Sequence, residues 1–204
     1  MPATGTKDWA AALRTPRGRW SVIGGGAAVV SALAVGIGLW AASGTPDEPY
    51  PDDVHAAAPG CDLVPADQVE ALLGEAVHDT DTTGPLHGGE HTACAWTTHG
   101  DGDGGTLRVG LSARFTDPSE DPLVTGEERT AETHGASVPE NGEEVELPRG
   151  EAHVWSGQVP GTVELAHHVD NLLVRISYAG YSDDSPDEGR DEVVELAAGM
   201  GESL

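Results

Sequence analysis

Three groups of residues have types and spacing suited to chemistry. His87, Glu90 and His91 place two imidazoles at i and i+4 with a carboxylate between them. On a helix that spacing brings two zinc ligands to one face. Gly84, Pro85, Gly88 and Gly89 surround the group, however, and so many helix breakers predict a surface loop there. His167 and His168 are adjacent, so on a strand their rings point to opposite faces and cannot share one ion. Asp101-Gly-Asp103-Gly-Gly begins like a calcium loop, but the twelfth position is Ser112 instead of glutamate.

The familiar catalytic signatures are missing. There is no Gly-x-Ser-x-Gly nucleophile turn and no Gly-rich phosphate loop ending in Lys-Ser or Lys-Thr. With 35 acidic residues, carboxylate pairs arise everywhere by chance, so none is nominated for glycoside chemistry. The expectation is a non-enzymatic protein with no catalytic residue, no cofactor and no metal ligand. Two alternatives stay open: an envelope hydrolase or metal-dependent enzyme using the His87–His91 region, and a pH-responsive or cationic-partner binder in which nine histidines neutralise part of the acidic field on protonation.

Charge narrows the partners. Ten basic residues against 35 acids give a net charge of −25, which excludes nucleic-acid binding through a basic face. The charge is also unevenly placed. Lys7, Arg14, Arg17 and Arg19 precede an uncharged run from Ser21 to Ala42, with Asp8 the sole acid before it. That run spans roughly 33 Å as a helix, enough to cross a bilayer, and Trp20 and Trp40 bracket it as an interfacial belt. The reading is therefore a basic cytoplasmic tail over 1–19, a single transmembrane helix over 20–42, and everything later outside the cell membrane. The run is longer than the apolar region of a signal peptide, although Ala41-Ala42-Ser43 offers small residues to a peptidase, so cleavage stays open. Gly24, Ala28, Ala32 and Gly36 form a small-residue stripe of the kind through which membrane helices form homodimers; an Ala/Gly-rich segment also produces such spacing by composition alone.

Residues 43–60 hold Pro46, Pro49, Pro51 and Pro59 among acids, which predicts an extended spacer with a reach near 55 Å at most. Residues 61–204 are of normal single-domain size. Pro65, then Val69, Leu72 and Leu73, then Gly74 read as a short helix. Thr92–Thr98 reads as a strand. Leu107, Val109, Leu111, Ala113 and Phe115 alternate with Arg108, Gly110, Ser112 and Arg114, the period of a half-buried strand. Glu127–Thr133 is a weak helix within an otherwise unpatterned 119–140. Glu144–Leu147, Glu151–Trp155, Thr162–Val169 and Leu172–Tyr178 read as strands, the last two joined by a tight Asp170-Asn171 turn. Asp187–Met200 reads as a closing helix. The expected class is α+β: an antiparallel sheet covered by N- and C-terminal helices, preceded by the membrane helix. Cys61 and Cys94 lie on the oxidising side and are expected to form one disulfide.

Cys61-Asp-Leu-Val64, Gln68-Val-Glu-Ala-Leu-Leu-Gly74 and Cys94-Ala-Trp96 together resemble a family of actinobacterial envelope proteins of unknown function, mostly lipoproteins. The resemblance covers about residues 61–115. It implies a fold similar to the extracellular sensor domain of mycobacterial receptor serine/threonine kinases, an extracytoplasmic location and a disulfide. It carries over no catalytic residues. The expected membrane span stands where the family has a lipobox, and the expected cytoplasmic tail over 1–19 is too short for the kinase of those receptors. The combined expectation is a membrane-anchored extracytoplasmic module that binds a ligand or protein partner of the bacterial cell envelope.

Overall fold

The computed structural model describes residues 48–98, 104–180 and 186–204. The predicted cytoplasmic tail, the membrane helix with Gly24, Ala28, Ala32 and Gly36, and residues Asp101 and Asp103 lie outside them. Among the described residues no helix is long and apolar enough to cross a membrane.

The architecture is α+β. Seven strands form one antiparallel sheet: β1 (Ala76–Leu86), β2 (Gly89–Thr98), β3 (Thr106–Arg114), β4 (Glu143–Val145), β5 (Glu151–Ser156), β6 (Thr162–Val169) and β7 (Leu172–Ala179). Their spatial order is β1-β2-β3-β7-β6-β5-β4. Helices α1 (Ala66–Leu73), α2 (Gly126–Ser137) and α3 (Pro186–Gly201) complete the domain.

Register decides which side chains meet. Cys94 lies opposite Val109, Val109 opposite Ile176, Ile176 opposite Leu165, and Leu165 opposite Val154. The period-2 rule extends that row along each strand, so Leu107, Leu111, Ala113, Leu172, Val174, Tyr178 and Val163 share the same face. This face is the core, and Leu107, Leu111, Leu165 and Leu172 are fully buried. Each such side chain contributes about 1.5–3 kcal/mol by leaving water. Helices α1 and α3 cover it. Val69 and Leu73 of α1 and Val193, Leu196, Ala197 and Met200 of α3 belong to the same buried cluster. The Tyr178 hydroxyl donates to the Leu72 carbonyl at 3.2 Å, fixing α1 to the sheet. Gly74, at φ 66°, ends α1.

Helix α2 packs on the opposite face. A Cβ added at its first residue, Gly126, would lie 2.3 Å from the Arg114 carbonyl oxygen, so only glycine permits the approach. Thr125 and Glu128 cap the helix reciprocally: Glu128 N–H donates to Thr125 Oγ1, and Thr125 N–H donates to the Glu128 carboxylate. The unpatterned 119–140 thus resolves into a loop, this helix and a turn. Its buried residues are Gly126, Thr130 and His134, which explains the weak apolar signal.

The disulfide forms between Cys61 and Cys94, with Cα atoms 5.7 Å apart. Residues assigned to the spacer by composition also reach the domain. Asp53 accepts from the Thr116 amide and hydroxyl, and Ala58 N–H donates to Glu90 Oε2 at 2.9 Å.

Candidate ligand-binding face

The face bearing α2 is only partly covered. The helix starts near Arg114 and Asn171, where β3 ends and β7 begins, and carries His134 to the rings of His153 and His168. The other half of this face stays open. Arg108 pairs with Ser177, Gly110 with Arg175, and Glu164 with Ser177, so these residues converge across β3, β7 and β6. They line a shallow hollow of about 260 Å³. Gly110 supplies no side chain, and the His91 ring lies 3.2 Å from where its Cβ would stand.

Electrostatics single this hollow out. Arg149 pairs with Asp170, Arg190 with Glu143, Arg114 donates to the His87 carbonyl and Arg129 to the Phe115 carbonyl. Arg108 and Arg175 are exposed and form no ion pair or hydrogen bond with the described residues. They are diagonal neighbours on adjacent strands, a spacing of about 7–8 Å. Glu164 faces the same hollow, but its carboxylate accepts the Trp155 indole N–H at 3.1 Å, which draws it toward β5. On a chain of net charge −25, two free guanidinium groups side by side form a local anion-binding surface.

The histidines singled out by spacing do not converge. The segment expected to be a loop is a hairpin: β1 and β2 pair from Ala76↔Thr98 to Leu86↔Gly89, with His87 and Gly88 as the turn. Gly88, at φ 68°, supplies the turn's left-handed residue. His91 lies on the α2 side of β2, where its Nδ1 bonds Ser112 Oγ at 2.9 Å. Glu90 points the other way, to Ala58. Among the described residues, no group of three metal-ligating side chains includes His87 or His91. His167 and His168 do face opposite sides. His167 is fully buried in the core with Nε2 bonded to the Arg149 carbonyl at 2.7 Å. Burial holds its pKa below the usual imidazole value.

A different group has metal-ligating geometry: one ligand atom each from His134, Glu151 and His153, all within 4.8 Å of one another. A second hollow, of about 520 Å³, lies between α1 and the β1–β2 hairpin beside the stacked rings of His78 and Trp96. Glu70 and Glu75 line it, so it shares the acidity of the rest of the surface.

No protein-family model, curated protein or solved structure matches this chain. The site must be read from its own residues. Arg108 and Gly110 stand out in sequence as the polar half of an alternating strand. Nothing local marks Arg175 as their neighbour, because the β3–β7 pairing that joins them spans a long loop and three intervening strands.

Proposed function

We propose that this protein is a membrane-anchored extracytoplasmic binding module of the bacterial cell envelope, non-enzymatic, whose open sheet face takes a carboxylate or phosphate group of an envelope molecule. The observation that carries this reading is the pair Arg108 and Arg175, exposed and unpaired on a strongly acidic chain. The uncharged Ser21–Ala42 run with its basic flank, the disulfide and the resemblance of residues 61–115 to actinobacterial envelope proteins support the placement. A glycine-floored, shallow hollow with two forked cations suits a small doubly charged group better than a buried drug-like ligand.

The charge distribution sets a distinctive salt response. The overall negative field repels an anion at long range, and salt screens that repulsion with a Debye length of about 8 Å at physiological ionic strength. Contact with the two arginines is short-range and is screened less. Association should therefore accelerate as salt rises from low to physiological strength, the reverse of an ordinary basic site. Calorimetry and stopped-flow titration of the full chain in detergent, with inorganic phosphate and with succinate as separate probes, test this. The expected result is saturable binding of at least one probe that weakens tenfold or more in the Arg108→Ala/Arg175→Ala double variant at unchanged melting temperature. Equal binding by the double variant, or binding of neither probe, overturns the ligand reading. A carboxyl-terminal tag protected from protease added to intact cells overturns the placement.

A further inference from the structure

We propose that His134, Glu151 and His153, with His168 beside them, form a binding site for a divalent transition metal of the zinc class.

Three elements build the site. Glu151 and His153 are two apart on β5, so both side chains leave the same face. β6 places His168 directly opposite Glu151. Helix α2 then lowers His134 onto the group, its ring 5.2 Å from that of His153 and 6.0 Å from that of His168. Three imidazoles and a carboxylate from a helix and two strands thus share one small space, where an apolar residue would serve packing better.

Unmet bonding capacity indicates a ligand. His134 is 2% exposed and its ring interacts with the Ala166 backbone, yet its Nε2 makes no hydrogen bond of acceptable geometry. His153 Nδ1 is buried and equally unpartnered. Buried polar atoms almost always find a partner, so two orphan imidazole nitrogens in one cluster need an explanation. The nearest carboxylate oxygen, Glu151 Oε1, is 4.0 Å from His153 Nδ1, too far for a hydrogen bond. An ion between them accounts for the gap. Zinc bonds of about 2.0–2.1 Å place tetrahedral donors roughly 3.3 Å apart, so modest side-chain rotation closes the present 4.8 Å limit.

The donor set defines the class of metal. Two imidazoles and one carboxylate are hard enough to exclude a soft thiophilic ion and too nitrogen-rich for calcium or magnesium. His168 Nε2 meets the Asp170 carbonyl at 2.9 Å. Donation of that N–H is the outer bond by which ligating histidines are held, and it leaves Nδ1 with its lone pair. Glu151 is exposed, which opens the site to water on one side. His153, Ala166 and Arg175 are successive cross-strand neighbours, so the metal would lie about 10 Å from the arginine hollow. The site stands without that hollow, and the experiment reads the metal alone.

Tag-free full-length protein, stripped with chelator and dialysed, is titrated with Zn²⁺ against a chromophoric chelator, and with Co²⁺ for its visible absorption. The expected result is one equivalent bound, a rise in melting temperature, and the intense Co²⁺ bands of four-coordination. His153→Ala and Glu151→Gln should each weaken Zn²⁺ at least tenfold, while His91→Gln leaves it unchanged. Glu151 is exposed, so its variant keeps the fold and decides the matter even if His134→Ala does not fold. Absence of a saturable single equivalent overturns the proposal. So does undiminished binding in both the Glu151→Gln and His153→Ala proteins.

Discussion

The side chain of Asn171 grips the backbone of His55 from both sides. His55 N–H donates to Asn171 Oδ1 at 2.7 Å, and Asn171 Nδ2 donates to the His55 carbonyl at 2.9 Å. The same amide nitrogen donates to the Arg114 carbonyl at 2.8 Å. One side chain in the β6–β7 turn therefore acts as a strand partner for a segment 116 residues earlier. The turn can spare it because Asp170 takes the left-handed conformation instead, at φ 49°.

Asn171 is 2% exposed, so truncating it strands buried groups that water does not reach. Asn171→Ala should cost about 2–3 kcal/mol and lower the melting temperature by about 5–10 °C. Proteolysis should then cut first near His55. Asn171→Asp keeps the acceptor for His55 N–H and loses both donations, so it should fall between. Thermal melts and limited proteolysis with mass readout check both; an Ala variant as stable and as resistant as the parent refutes the clasp.

The Cys61–Cys94 bond closes a loop of sequence separation 33, which on the chain-entropy model contributes about 4 kcal/mol. It joins the turn before α1 to the β2 face of the core. Reduction, or the double Cys→Ala variant, should lower the denaturant midpoint and steepen the slope, because the unfolded chain then exposes more surface. Cys61 and Cys94 are both buried, so reductant should act slowly until the domain opens. Rapid reduction with no loss of stability counts against this account.

Acid should destabilise the domain through its half-buried histidines. Burial lowers the pKa of His91 foremost; a backbone hydrogen bond at Leu111 opposes this and the Arg114 charge adds to it. Burial likewise lowers that of His55, against the opposing pull of Asp170. A histidine with a folded-state pKa below 6.5 binds protons more readily when unfolded. Its stabilisation is complete above pH 6.5 and is lost as pH falls toward the lowered folded value. The melting temperature should therefore be flat from pH 8 to 7 and fall from 6.5 to 5. His55→Gln and His91→Gln should each flatten that fall. A melting temperature that rises on acidification reverses the sign and refutes the argument.

Which parts of the fold the sequence discloses follows from burial. Leu107–Phe115 and Leu172–Tyr178 are legible because they are central strands whose two faces differ, so apolar and polar residues alternate. β1 carries Val-His-Asp-Thr-Asp-Thr-Thr and is mostly exposed. Being an edge strand, it needs acids and Pro85 more than apolar residues, and it leaves no periodic signal. Its pairing with β2 converted the expected loop around His87 into a hairpin. The arginine hollow is half legible, since Arg108 belongs to a clear alternation but Arg175 meets it only through the β3–β7 pairing. His134, Glu151 and His153 are not legible as a group, because α2 hides its packing face behind glycine, threonine and histidine.

The clasp at His55 also fixes the rim of the sheet at which the segment before α1 joins the domain. Asp53 and His55 attach where β3 finishes and β7 starts, at Thr116 and Asn171. Arg108 sits about 20 Å further along β3 from Arg114. The segment around Asp53 and His55 is thus fastened to one rim of the sheet, and the cationic hollow lies toward the other. A ligand that enters the hollow from that distal rim meets neither the Asp53 nor the His55 attachment.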